Sequence, residues 1–180
     1  EMNISFKLGK RLFNFSVNFF YKNYDMRYMR GKTNRTKDGM YCVFMEYDHI
    51  LLEYVQDEVK RLQEQFMLGD FVIVKSSSNS YHCYCFDKVF LWDYLDILSK
   101  SSVDPKWRSF PLAHGTHNWV LRYTAKTRER PSFVRILRST YKHYEQSRPH
   151  ILLFEKLLNV ELRKETIDKE QEMYMAGYYI

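Results

Sequence analysis

The sequence predicts an α+β fold: one domain with a central mixed or antiparallel sheet and helices packed on one face of that sheet. Three observations support this prediction, namely an alternating strand near the start, an amphipathic helix, and two apolar strands directly after that helix. The chain has 180 residues, enough for one ordinary domain with a sizeable core. We place the main domain at residues 1–140 and a helical extension of it at residues 141–180.

The earliest strong strand signal is the run of residues 12–19, in which apolar and polar side chains alternate. We expect it to be an outer strand of the sheet. The next strand is residues 41–48, an apolar and aromatic run with Glu46 and Asp48 near its end. Side chains two residues apart in a strand point to the same face, so the two carboxylates are expected side by side. Like charges that close repel each other unless a cation lies between them, which favours a divalent metal site.

A helix is predicted over residues 50–66, because apolar side chains recur there at helical spacing while charged ones fill the other side. Residues 71–74 then form a continuous apolar run, which is typical of a strand buried on both faces. A serine-rich turn leads into a strand over residues 81–86. Its alternation directs His82 and Tyr84 to one face and two cysteines to the other.

The second half of the chain is less regular. Residues 92–98 favour a helix that packs on the sheet, and residues 105–116 are expected to form an irregular loop over it. Strands are predicted over residues 118–123 and 133–137. A last helix is predicted over residues 151–158, followed by a charged continuation.

The order of these features resembles the catalytic palm of the archaeo-eukaryotic primase superfamily, which includes small primase-polymerases of plasmids and viruses. The superfamily's first motif, two acids separated by one residue, is matched by Glu46 and Asp48. Its second motif, a small residue two positions before a histidine, is matched by residues 80–82, Ser-Tyr-His. Its third, a hydrophobic residue followed by an acid, is matched by residues 103–104, Val-Asp. The resemblance covers residues 40–137.

The resemblance implies an RRM-like palm and template-directed nucleotidyl transfer in DNA replication, with residues 1–140 as the catalytic domain. It implies that Glu46, Asp48 and Asp104 hold two Mg²⁺ or Mn²⁺ ions, whose preference for hard oxygen ligands suits carboxylates. The residues assigned to nucleotide binding are Lys75, Ser78, Ser80, His82, Arg122 and Lys126. Those assigned to nucleic-acid binding are Arg128, Arg130, Arg135 and Arg138. The expected partners are single-stranded DNA, nucleoside triphosphates, and a helicase or other replication protein.

Several alternatives stay open at the level of sequence. Asp93 and Asp96 compete with Asp104 as the third acid, although they fall in the predicted helix 92–98. The same fold would also serve a nucleic-acid-binding or replication-initiator module that catalyses nothing. A metal-dependent nuclease would use the same carboxylates.

The charge of the chain favours a polyanionic partner. The formal net charge is +6 and the isoelectric point is near 9.1, which suits phosphate neutralisation by Lys and Arg. Residues 27–38 carry five cationic side chains before their first acid, and such a loop could follow a nucleic-acid backbone or a triphosphate. The alternatives are a solvated connector for this loop and a merely basic surface for the whole protein.

Other classes of site and location find less support. Three cysteines without a secretory pattern indicate a reducing compartment, and we expect a cytoplasmic or nucleoid-associated protein without membrane contact. The chain contains no P-loop or Rossmann glycine motif. Cys83, Cys85, His114 and His117 are acceptable zinc ligands, but their spacing matches no common zinc motif.

Overall fold

The computed structural model describes residues 2–8, 11–17, 30–124 and 130–162, and it confirms the α+β class. The strands are β1 Met2–Leu8, β2 Arg11–Val17, β3 Gly31–Thr33, β4 Tyr41–Tyr47, β5 Phe71–Ser77, β6 Ser80–Val89, β7 Val120–Arg122 and β8 Ser132–Leu137. The helices are α1 Leu52–Phe66, α2 Leu91–Ser99, α3 Pro105–Ala113 and α4 Arg148–Leu158. None of the helices in the described ranges is both long and apolar enough to cross a bilayer.

The central sheet has four strands in the order β4-β6-β5-β8, and all its pairs are antiparallel. β4 and β5 therefore run in the same direction, with β6 between them and α1 as their connection, which is a split β-α-β unit. β3 and β7 form a separate two-stranded ribbon. The predicted strand at residues 12–19 corresponds to β2, which pairs with β1 and with no described strand of the central sheet.

Both faces of the central sheet are covered, because its strands are apolar at odd and even positions alike. Odd-numbered side chains such as Val43 and Ile73 pack against α1 and α2. Even-numbered side chains such as Phe44 and Tyr84 pack against Phe154 of α4. The prediction that helices occupy one face is therefore wrong in this respect: α4, from the predicted C-terminal extension, covers part of the other face. A strand that is apolar on both sides needs a cover on both sides.

Residues 105–116 are not the irregular loop that the sequence predicts, since α3 occupies most of them. Asp104 is the N-cap of this helix, and its side chain accepts the Trp107 backbone N–H at 2.6 Å. Pro105 follows at the first helical position, where its missing N–H costs nothing. The sequence does not predict this helix, because Pro111 lies inside it and its apolar residues show only weak helical periodicity.

Asn34 joins the β3–β7 ribbon to the central sheet. Its side chain is fully buried; Oδ1 accepts the Trp119 N–H at 3.2 Å and Nδ2 donates to the Cys42 carbonyl at 3.2 Å. Its backbone N–H donates to the Trp119 carbonyl at 2.9 Å, and its carbonyl accepts the Cys42 N–H at 2.8 Å. One asparagine therefore bonds both to β4 and to the segment that leads into β7.

Replacing Asn34 by alanine is expected to lower the free energy of unfolding by about 3 kcal/mol, because it leaves two buried backbone groups without partners. Urea denaturation measures the change. Asn118→Ala is the control, since Asn118 is half-buried and makes no side-chain hydrogen bond to another described residue. That control should shift stability by no more than about 0.5 kcal/mol. Equal losses in the two variants would contradict the bridging role of Asn34.

His150, in the first turn of α4, is held in its neutral form. Its Nε2 lies 3.0 Å from the Thr33 carbonyl, to which it donates, and its Nδ1 lies 2.7 Å from the Ser147 hydroxyl. Burial lowers the pKa of His150 below its ordinary value. The unfolded chain takes up this proton near pH 6.5, while the folded chain resists it until a lower pH.

The free energy of unfolding is therefore expected to decline as the pH falls below about 6.5, the ordinary pKa of histidine, and to receive no contribution from His150 above that pH. Urea denaturation at several pH values measures this dependence. The variant His150→Gln cannot titrate and should show a flatter profile over the same window. If His150→Gln and the wild type show the same pH dependence of the free energy of unfolding, other groups cause that dependence.

Candidate functional site

The candidate site lies on the even-numbered face of the sheet, where β4 ends and β6 begins. Glu46 and His82 stand directly opposite each other in the β4–β6 register. His82 Nε2 lies 3.5 Å from Glu46 Oε1, and His82 Nδ1 lies 3.0 Å from the Tyr84 hydroxyl. The period of two along β6 places His82 and Tyr84 on this face, as the sequence predicts.

His82 is the most unusual side chain of the site. It is fully buried, and its Nε2 is the single buried side-chain nitrogen or oxygen in the described ranges that has no hydrogen-bond partner there. Buried polar groups are almost always satisfied, so such an atom calls for an explanation. The Glu46 side chain beside it is 24% exposed, so the pair joins a buried imidazole to a carboxylate that solvent can reach.

Tyr84 and Arg122 complete what we call the Glu46–His82 cluster, which consists of these four residues. Burial raises the pKa of the Tyr84 hydroxyl well above its ordinary value; the Glu46 charge adds to the rise and the Arg122 charge opposes it. Tyr84 is therefore a neutral hydroxyl near pH 7. Arg122 donates to the Ser76 carbonyl at 2.5 Å and to the Thr124 carbonyl at 3.2 Å, which holds its guanidinium over the end of β5.

Asp48 lies one residue beyond β4 and is exposed. The chain turns at His49, which has a positive φ of 56°, and the Ile50 N–H donates to the Asn79 carbonyl at 3.1 Å. This bond ties the segment after β4 to the turn between β5 and β6. Asp48 is therefore set near the serine-rich turn, at the end of the sheet that carries the Glu46–His82 cluster.

The serines predicted to bind nucleotide lie in or next to this turn. Ser78 is exposed, and Ser80 is buried at the start of β6, where its hydroxyl donates to the Ser78 carbonyl at 3.4 Å. Asn79 between them has a positive φ of 51°. The acid-x-acid and Ser-x-His motifs are therefore brought to one end of the sheet.

Asp104 reaches the same neighbourhood through its backbone, since its N–H donates to the Glu46 carbonyl at 2.8 Å. Its carboxylate, however, caps α3. Within residues 30–124 and 130–162, no three His, Cys, Asp or Glu side chains are grouped so that they could hold a metal ion. Carboxylates suit Mg²⁺ and Mn²⁺ by chemistry, so an ion shared by Glu46, Asp48 and Asp104 stays a prediction from the resemblance. We assign no catalytic step to an ion.

The alternative zinc ligands are not brought together either. Cys83 and Cys85 lie in the helix-covered core, where burial raises the pKa of both thiols well above the ordinary value. His114 and His117 are exposed after α3. Protonated thiols in a core are poor metal ligands.

The predicted cationic ligands are dispersed over the molecule. Arg122 belongs to the cluster, whereas Lys75 pairs with Tyr81 in the sheet register and lies on the opposite face. Arg135 donates to Gln56 of α1 at 3.0 Å and so also lies on that opposite face. Arg138 forms an ion pair with Asp70 at 2.6 Å, at the far end of β5. Arg130 is exposed, while Lys126 and Arg128 lie outside the described residues.

Sequence reasoning did not assign a role to Tyr84, although strand alternation already placed it beside His82. It also missed that the β3–β7 ribbon would set Arg122 over the end of β5, which no local pattern reveals.

The chain was compared with protein-family models, with curated proteins and with solved structures, and none of them matches it.

Proposed function

We propose that the protein is a template-directed nucleotidyltransferase of the primase or primase-polymerase type, acting on single-stranded DNA and nucleoside triphosphates. The observation that supports this proposal is the pairing of buried His82, whose Nε2 has no hydrogen-bond partner in the described ranges, with the partly exposed carboxylate of Glu46. The Arg122 guanidinium provides a positive charge at the same end of the sheet. The matching motif order of the archaeo-eukaryotic primase superfamily agrees with this chemistry.

In nucleotidyl transfer, a 3′ hydroxyl attacks the α-phosphorus of a triphosphate, and pyrophosphate leaves. Catalysis depends on orienting these groups and on stabilising the negative charge of the phosphate oxygens. Glu46 would orient the hydroxyl and take its proton. His82 Nε2 is buried, so when it carries hydrogen it would donate to the Glu46 carboxylate and orient it, while Arg122 would offset the negative charge of the phosphate.

The Tyr84 hydroxyl would act as a positioning group in this proposal. Because it lies 3.0 Å from His82 Nδ1, it would fix the orientation of the imidazole. A donated hydrogen bond from Tyr84 to Nδ1 leaves the hydrogen on Nε2, the atom that faces Glu46. The buried hydroxyl thus supports the donor role that we assign to Nε2.

Dependence on Mg²⁺ or Mn²⁺ is a separate prediction that comes from the resemblance. Ions at Glu46, Asp48 and Asp104 would supply charge neutralisation for the phosphates. Because Oδ1 of Asp104 caps α3, binding at all three carboxylates would use its Oδ2. Incorporation measured with and without EDTA tests the dependence.

The experiment combines the protein with a single-stranded template, labelled nucleoside triphosphates and Mg²⁺ or Mn²⁺. Labelled product that requires the template and is lost in Glu46→Ala/Asp48→Ala would support the proposal. Product that persists in the double variant would contradict the assignment of the active site to Glu46 and Asp48. Shortening of a labelled strand, without synthesis, would indicate a nuclease.

One observation favours a second candidate, a nucleic-acid-binding or replication-initiator module without catalysis. The Asp104 carboxylate already caps α3 through Oδ1, so one of the two oxygens of the third acid is engaged in structure. Tight template binding without any product would select this candidate. Both candidate functions are compatible with the helicase or other replication protein that the resemblance leads us to expect as a partner.

A further inference from the structure

A groove of about 350 Å³ lies between the segment after β3, the end of β6 and the start of α4. None of the four residues of the Glu46–His82 cluster lines it. Five cationic side chains line it, namely Lys32, Arg35, Lys37, Lys88 and Arg148, together with the acids Asp38 and Glu145. We call it the basic groove. Its volume is in the range of sites that hold a nucleotide-sized ligand.

The two acids of the basic groove, Asp38 and Glu145, both pair with one lysine. Lys88 Nζ lies 2.8 Å from Asp38 Oδ2 and 2.6 Å from Glu145 Oε1. The hydrogen bond from Lys88 lowers the pKa of Asp38 to about 2, so this carboxylate is charged at pH 7. One lysine therefore serves both of the carboxylates that line the groove.

Four further cations line the groove without such partners. Lys32, Arg35, Lys37 and Arg148 form no ion pair with any residue in the described ranges. Five cationic side chains against two carboxylates leave a formal charge of +3. His150 adds none, because burial lowers its pKa. A concave surface with this excess charge suits phosphate groups.

The walls of the groove are fixed to the central sheet. The Lys88 N–H donates to the Glu145 carbonyl, and the Ser147 N–H donates to the Phe86 carbonyl, both at 2.8 Å. The opposite wall is held by His150 Nε2, 3.0 Å from the Thr33 carbonyl. The cationic side chains therefore extend from a rigid frame, which reduces the ordering cost of binding.

We propose that the basic groove binds the phosphodiester backbone of a single nucleic-acid strand. Four cations from two separate chain segments, none of them in an ion pair with another described residue, exceed what one phosphate requires and match a series of phosphates. Lys32 stands opposite Leu121 in the β3–β7 register, next to Arg122, so the ribbon connects the groove with the Glu46–His82 cluster. The inference requires no catalysis and would stand if the protein transferred no nucleotide.

The test is the fluorescence anisotropy of a labelled single-stranded oligonucleotide, titrated with the full chain at several salt concentrations. In Arg35→Ala/Lys37→Ala/Arg148→Ala the affinity should fall at least tenfold. The slope of log affinity against log salt should become shallower by about 2, since each lost phosphate contact contributes about 0.7. Thermal unfolding verifies that the variant is folded.

The control variant Lys60→Ala/Lys106→Ala/Lys156→Ala removes the same net charge from exposed positions outside the groove. Its affinity and salt slope should stay close to those of the wild type. If both triple variants lose affinity equally, binding follows diffuse surface charge and the proposal is overturned. An unchanged affinity in the groove variant overturns it as well.

A second arm distinguishes a strand from a free nucleotide. Unlabelled nucleoside triphosphate and inorganic triphosphate are added as competitors of the oligonucleotide. Weak competition from both, with loss of oligonucleotide affinity in the groove variant, supports a strand site. If the groove variant loses triphosphate binding and keeps the oligonucleotide, the groove belongs to free triphosphate and the strand assignment is wrong.

Discussion

Replacing Glu46 by glutamine should lower template-dependent nucleotide incorporation by at least about 100-fold, the range that a positioned acid–base group contributes. Glutamine keeps the volume of the side chain but cannot accept the proton of a 3′ hydroxyl. It also removes the charge that lies 3.5 Å from His82 Nε2. The measurement is kcat/KM for incorporation on a single-stranded template, with unfolding of the variant followed in parallel.

Glu64→Gln is a matched control for this prediction, because Glu64 is exposed on α1 and has no ion pair within the described ranges. It removes the same charge and should leave incorporation within about twofold of the wild type, since surface charges alter chemistry weakly. Full activity of Glu46→Gln would exclude a catalytic role for the carboxylate. A loss confined to KM would indicate that Glu46 contributes to binding and not to the chemical step.

Replacing Trp119 by alanine is expected to lower the free energy of unfolding by about 3–5 kcal/mol, the usual cost of removing a large buried aromatic side chain. Trp119 is fully buried, and its ring meets Tyr41 and Tyr94 at centroid distances of 6.3 and 5.0 Å. Its indole N–H donates to the Arg108 carbonyl at 3.1 Å. One side chain thus joins β4, α2 and α3 directly before β7.

Denaturant unfolding measures this loss, and Trp92→Ala provides the comparison, because Trp92 on α2 is 78% exposed. That variant should change stability by no more than about 0.5 kcal/mol. If Trp119→Ala fails to fold, Trp119→Phe keeps part of the ring contacts and should show an intermediate loss. Equal midpoints for the Trp119 and Trp92 variants would contradict the central packing role of Trp119.

Trp119 also bears on the candidate site, since it precedes the strand that ends in Arg122. Loosening of this core contact would let β7 shift relative to β5, over whose end Arg122 is held by the Ser76 carbonyl. A destabilised but folded Trp119→Phe is therefore expected to weaken incorporation more than Asn118→Ala does.

The local pattern of the sequence determined the elements that repeat with a clear period. The helical spacing of residues 50–66 yields α1, and the apolar run at 71–74 lies inside β5. Alternation along residues 81–86 correctly sets His82 and Tyr84 on one face of β6. These features follow from side-chain periodicity, which acts over a few residues and can be read from one segment alone.

Only the tertiary structure decided which of these elements meet. Glu46 faces His82 because β6 inserts between β4 and β5, and this register depends on contacts distant in sequence. α4 covers the second face because even-numbered apolar side chains were left open there. Asp104 caps α3, because its carboxylate accepts a hydrogen bond from the backbone N–H of Trp107. Non-local pairing and competition for hydrogen bonds, which no single segment encodes, thus determined the site.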